Sequence, residues 1–143
     1  MEFLDDINVF ITRVANALKV GGMFSVNGFE VSTEHIFWKK IFAKIGLKTA
    51  FIEEKLQAEE THMESFRKLL QNCFAKIENV TLDNSMQYDN REEILERLYQ
   101  RYPENRKYIE ENKVIIGQYF DRFLDEEDVV IVDNTSDFWH CIK

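Results

Sequence analysis

Apolar residues along the chain fall mostly at three- and four-residue steps, the spacing that gathers one face of an α-helix. The spacing predicts a first helix from Glu2 to Val20, with Phe3, Ile7, Phe10, Val14 and Leu18 on the buried stripe and Leu4, Ile11 and Ala15 widening it. Gly21-Gly22 ends it. Two short β-prone runs come next, Met23 to Val26 and Phe29 to Val31, joined by Asn27-Gly28. Asn-Gly supplies the positive φ angles of a tight turn, so the segment is expected to form a hairpin that packs on helices.

Ser32 or Thr33 caps a second helix with Glu34 in its first turn, where a carboxylate suits the helix dipole. Phe37, Trp38, Ile41, Phe42 and Ile45 form its buried side, Lys40, Lys44 and Lys48 lie four apart on another, and Gly46 is placed to end it in the left-handed conformation. From Thr49 to about Val80 the pattern again reads as helix. Leu56, Met63, Leu70 and Ile77 recur every seven residues, with Phe66, Cys73 and Val80 between them. That is a heptad seam interrupted around Glu59, suited either to a bundle or to a homodimer through the 56–80 helix.

Residues 81–88 are polar and read as a loop. Asp89 or Asn90 then begins a fourth helix with Glu92 or Glu93 as its capping-box partner, and Ile94, Leu95, Leu98, Tyr99 and Tyr102 line its inner side. Pro103, the only proline, closes that helix and opens a fifth from about Glu104 to Glu126. Val129 to Val132 is β-branched, residues 133–137 read as a turn, and Phe138 to Ile142 as a closing strand. The expected fold is mainly α: a compact bundle of about five helices with one long helix, a short β-hairpin near the N-terminus and a minor C-terminal strand pair. No repeat or linker divides the 143 residues, and one domain over 1–143 is expected.

Composition narrows function mainly by exclusion. With 45% hydrophobic residues, 12 Phe, 5 Gly and 1 Pro the chain is neither disordered nor collagen-like. The two cysteines, Cys73 and Cys141, form no CxxC pair, and no stretch approaches the length of a membrane span, so a cytoplasmic protein with reduced thiols is expected. The formal charge of -8 argues against direct nucleic-acid binding, which needs a basic footprint. Phe37 and Trp38 interleave the lysine stripe, but on a helix they are its core face.

The charge is concentrated. Residues 1–48 carry a net +1, whereas residues 121–137 hold Asp121, Asp125, Glu126, Glu127, Asp128, Asp133 and Asp137 against Arg122 alone. Much of this cluster lies at the negative pole of the fifth helix, where each carboxylate is unfavourable by about 0.3–1 kcal/mol. Local stability does not favour that placement. It is accounted for by a solvated acidic turn, by neutralisation from the Lys40, Lys44 and Lys48 stripe, or by docking of a basic partner. Trp139 comes close behind, as an interface anchor or as a buried strand residue.

Sites for chemistry are weak. Glu59 and His62 share a Glu-x-x-His spacing, but a di-metal bundle needs a second such motif. Residues 133–137 are rich in oxygen ligands, yet Phe138 stands where a calcium loop needs glycine. Asp137 to Cys141 assembles no nucleophile elbow or oxyanion hole, and no phosphate-binding glycine loop occurs. The expectation is a non-enzymatic protein-binding module without a cofactor. Its contacts are Asp121, Asp125, Glu126, Glu127, Asp128, Asp133, Asp137 and Trp139, and its partner a basic protein such as a nucleic-acid-acting enzyme or toxin that it inhibits. The competing readings are a self-associating helical subunit and a metal-binding bundle at Glu59 and His62.

Overall fold

A computed structural model describes residues 2–28 and 30–143, with side chains described from Asp6 onward. The chain is mainly helical, with α1 (Glu2–Ala17), α2 (Thr33–Lys44), α3 (Ala50–Cys73), α4 (Arg91–Arg101), α5 (Arg106–Glu111) and α6 (Lys113–Glu127). Its strands are β1 (Met23–Asn27), β2 (Lys76–Asp83), β3 (Met86–Tyr88), β4 (Val130–Val132) and β5 (Thr135–Ile142). Contacts gather into two compact units. Met1–Ser32, Leu56–Asp83 and Thr135–Lys143 form the first; Thr33–Lys55 and Asn84–Asn134 form the second.

In the first unit an antiparallel sheet of order β1-β5-β2 is held by β5, which pairs from Met23↔Ile142 to Asn27↔Phe138 on one side and from Lys76↔Ile142 to Asp83↔Thr135 on the other. Ile11 and Ala15 of α1, Phe66 and Leu70 of α3, Phe74, and Trp139 and Cys141 of β5 form its buried core. Lys143 donates from Nζ to the Leu18 carbonyl at 2.8 Å and to that of Asn16 at 3.3 Å, placing a cation at the negative end of α1.

Three expectations are corrected here. Glu30 and Val31 do not supply the partner of β1, although Gly28 takes the expected positive φ of 96°. Phe29 lies outside the described residues. Five-residue pairing with β5 outcompetes a three-residue return strand, and Glu30 instead accepts the Asp137 backbone N–H at 2.9 Å. The long helix stops at Cys73, and Lys76–Asp83 is a strand because eight paired positions with β5 outweigh continuation of the heptad. The two C-terminal strands do not pair with each other: β4 pairs with β3, and β5 with β1 and β2.

The second unit encloses Trp38, Phe42, Ile52, Ile94, Leu98, Tyr102, Ile109, Ile116 and Phe120, with Val130 and Val132 of the β3-β4 ribbon. Aromatic edges interlock: Trp38 meets Phe120 at 5.8 Å and Phe51 meets Tyr102 at 5.3 Å between ring centres. Asn90 caps α4, accepting the Glu93 N–H at 2.9 Å. Gly46 at φ 77° terminates α2, with the Leu47 N–H returning to the Phe42 carbonyl at 2.8 Å. The expected fifth helix is divided. Pro103–Asn105 is a 3₁₀ turn, and Asn112 separates α5 from α6 with its side-chain amide on the Tyr108 carbonyl at 2.8 Å. Six α-helices therefore replace the expected five among the described residues. No helix among them is long and apolar enough to cross a membrane.

Candidate functional site

The acidic segment divides according to what each carboxylate meets. Asp121 accepts from Arg91 Nη1 at 3.0 Å and is neutralised within the second unit. Asp125, Glu126, Glu127 and Asp128 are exposed, and none forms an ion pair among the described residues. Lys40, Lys44 and Lys48 do not neutralise them: Lys44 instead lies over the Tyr119 ring at 5.7 Å, and Lys39 pairs with Glu53 at 3.1 Å. Asp128 ends α6 with φ 63°, its N–H donating to the Leu124 carbonyl at 3.0 Å. Four successive carboxylates thus stand in solvent at the negative pole of a fifteen-residue helix. Asp133 is also exposed.

The remaining two expected contacts belong to the other unit. Asp137 is half-buried and accepts from Thr81 Oγ1 at 2.6 Å, so its carboxylate serves the β2-β5 pairing. Trp139 is 6% exposed and sits in the first unit's core, so of its two readings the buried strand residue holds and the exposed partner contact does not. Its alternation with His140 on β5 points it to the helix-covered face.

Beside the carboxylates lies a groove that the sequence does not reveal. Phe37 and Ile41 of α2, Tyr119, Phe120, Phe123 and Glu127 of α6, and Val129, Val130 and Ile131 enclose about 260 Å³. Phe123 is 38% exposed and Ile131 57% exposed, although periodicity assigns Phe123 to the buried face of its helix. A second hollow shares Tyr119 and Phe123 and adds Lys44, Arg122 and Glu126. Phe123 and Glu127 are one turn apart on α6, so apolar wall and carboxylate succeed each other on one face.

The second unit also buries a charge. Glu34 is 1% exposed on its side chain. Arg97 grips it with two hydrogen bonds, Nε to Oε1 at 2.8 Å and Nη2 to Oε2 at 2.7 Å. Trp38 Nε1 donates to Oε1 at 3.2 Å, and Arg101 Nε lies 3.4 Å from Oε2. Burial by itself raises the carboxyl's pKa; hydrogen bonds from Arg97 and Trp38 and the positive charges of Arg97 and Arg101 outweigh it and hold Glu34 below the ordinary value. Alongside, His35 Nδ1 and the Tyr102 hydroxyl are 2.6 Å apart. The four-residue steps Glu34–Trp38 and Arg97–Arg101 carry this cluster in the sequence, where Glu34 reads only as a favourable first-turn acid. Both carboxylate oxygens are satisfied from within the chain, so the cluster ties α2 to α4.

Glu59 accepts the Ser32 N–H at 2.8 Å, and His62 is exposed. Among the described residues no three His, Cys, Asp or Glu side chains converge as a metal would require. The middle of the heptad seam faces its own unit, Phe66 and Leu70 being buried and Met63, Leu69 and Cys73 packed against them. No protein-family model matches this chain, and no curated protein matches its sequence.

Proposed function

We propose that this protein is a non-enzymatic binding module that receives a basic protein partner at the C-terminal end of α6, and that it acts as an inhibitor of a nucleic-acid-acting partner. One observation carries the reading: Asp125, Glu126, Glu127 and Asp128 remain exposed and unpaired where the helix dipole opposes them, although a stripe of lysines exists in the same unit. Each such carboxylate costs about 0.3–1 kcal/mol in the free protein. A cationic partner reverses the sign of that term on binding. A surface of this kind attracts basic partners from a distance and speeds their encounter. A cleft built to hold phosphates presents the matching field, and closely spaced carboxylates substitute for the phosphates.

The test combines Asp125→Asn, Glu126→Gln, Glu127→Gln and Asp128→Asn in one variant. Wild-type protein immobilised and challenged with extract of its native host at low salt is expected to retain a basic nucleic-acid-acting protein, lose it as salt rises, and block its activity. The fourfold variant is expected to retain far less of it while remaining folded. Equal retention by the two proteins would overturn the reading.

A further inference from the structure

The groove beside the acidic turn specifies more about the partner than charge does, and its role rests on the docking proposed for the end of α6. Its volume of about 260 Å³ is below the roughly 300–1,000 Å³ typical of sites that enclose a drug-sized ligand, but it accommodates a side chain. Its walls are aromatic and aliphatic, and Glu127 is the one charged residue among those lining it. The charge around it is directional. Glu127 lines the groove and Asp128 follows it in the chain, while Lys44, Arg122 and Glu126 border the neighbouring hollow that shares the Tyr119 and Phe123 wall. A cation adjoining the occupant is therefore favoured beside Glu127, and less so beside Lys44 and Arg122, whose charge Glu126 offsets only in part.

We infer that the groove formed by Phe37, Ile41, Phe123 and Ile131 takes a bulky apolar side chain of the basic partner, with lysine or arginine immediately beside it facing Glu127 and Asp128. The apolar anchor supplies a desolvated contact that holds the complex, and the flanking cations supply its steering. Partially exposed Phe123 and Ile131 lose their remaining contact with water in the same event.

Three fluorescein-labelled peptides provide the probe: one with Leu-Phe flanked on each side by Lys-Arg, one with Ser-Ser in place of Leu-Phe, and one with Gln in place of every Lys and Arg. Fluorescence anisotropy measures each against wild type, Ile131→Lys, Phe123→Ser and the fourfold acid-neutralised variant. The Leu-Phe peptide is expected to bind wild type at least tenfold more tightly than the Ser-Ser and Gln peptides, and the preference over Ser-Ser is expected to vanish in both groove variants. Ile131→Lys places its change on a largely exposed side chain, so it reports on the groove even if Phe123→Ser fails to fold. Equal binding of the Leu-Phe peptide by wild type and Ile131→Lys would overturn the inference, while loss in the acid variant alone would leave the docking reading standing. Insensitivity to the acid variant would remove both. Absence of binding up to millimolar peptide would also overturn the inference, as would a wild-type dimer in light scattering that Ile131→Lys converts to monomer, because the groove would then serve a second copy of the chain.

Discussion

Replacing Arg97 with alanine is expected to produce one of the largest single-residue losses of stability in the second unit. It removes both strong hydrogen bonds to Glu34, at 2.8 and 2.7 Å, from a carboxylate only 1% exposed. Taking one partner from a buried ion pair costs about 3–5 kcal/mol, because the remaining charge is left without compensation. Two features reduce that figure. Arg97 itself is 26% exposed, so solvent screens part of the attraction, and Trp38 and Arg101 remain at 3.2 and 3.4 Å. The expected loss is about 2–4 kcal/mol, a large share of the roughly 5–15 kcal/mol that holds a typical domain folded.

Urea unfolding followed by the fluorescence of Trp38, in a Trp139→Phe background, measures it where the change is made. With a slope of about 2 kcal/mol per molar urea, the middle of the usual range, the midpoint falls by about 1–2 M. The pH dependence supplies the mechanistic check. The folded-state pKa of Glu34 is lowered, so its contribution is present above the ordinary glutamate value near 4.3 and is lost as pH falls through the folded pKa. Wild type and Glu34→Gln should therefore differ most at neutral pH and converge in acid. Combining Arg97→Ala with Glu34→Gln should cost less than the sum of the two. A loss below about 1 kcal/mol for Arg97→Ala, unchanged between pH 7 and pH 3, would refute the assignment of the pair as the tie between α2 and α4.

Smaller effects are expected at the helix ends and in the sheet. Glu126→Gln and Glu127→Gln should each stabilise the free protein by about 0.3–1 kcal/mol, read as a raised melting temperature at low salt, the opposite of their effect on partner binding. Gly46→Ala forces an L-residue to φ 77° and is expected to cost about 1–2 kcal/mol in chemical denaturation. Cys141 is fully buried and its thiol is pushed up to about 11 by that burial; iodoacetamide at pH 8 should leave it unmodified in the folded protein, and peptide mapping should find it labelled only after unfolding.

The two kinds of device in this chain differ in how far they reach along it. Asn90 capping α4, Gly46 closing α2 and Pro103 ending α4 each act within about one turn, so their roles are legible from neighbouring residues. The heptad from Leu56 continues through Ile77 as a pattern, yet the backbone turns to strand at Lys76 because β5, some sixty residues later, pairs there. Likewise Val129 to Val132 shows its β character locally but not its partner, which is β3. Phe123 and Phe120 look equivalent on a helical wheel. Both line the groove walled by α2 and the lead-in to β4, but Phe120 is buried edge-on against Trp38 whereas Phe123 stays partly exposed.

The helical character of the chain, most of its stop signals, and the crowding of carboxylates between residues 121 and 137 are already present in the order of the residues. These depend on propensity, periodicity and charge, which are properties of short windows. Tertiary structure alone decided which of those carboxylates are satisfied: Asp121 by Arg91, Asp137 by the sheet, and Asp125 to Asp128 by neither. It also decided that Glu34 is buried against Arg97 and that an apolar groove borders the unpaired acids. The physical reason is that the energy of a charge or an exposed ring depends on what solvates it, and those neighbours come from segments distant along the chain.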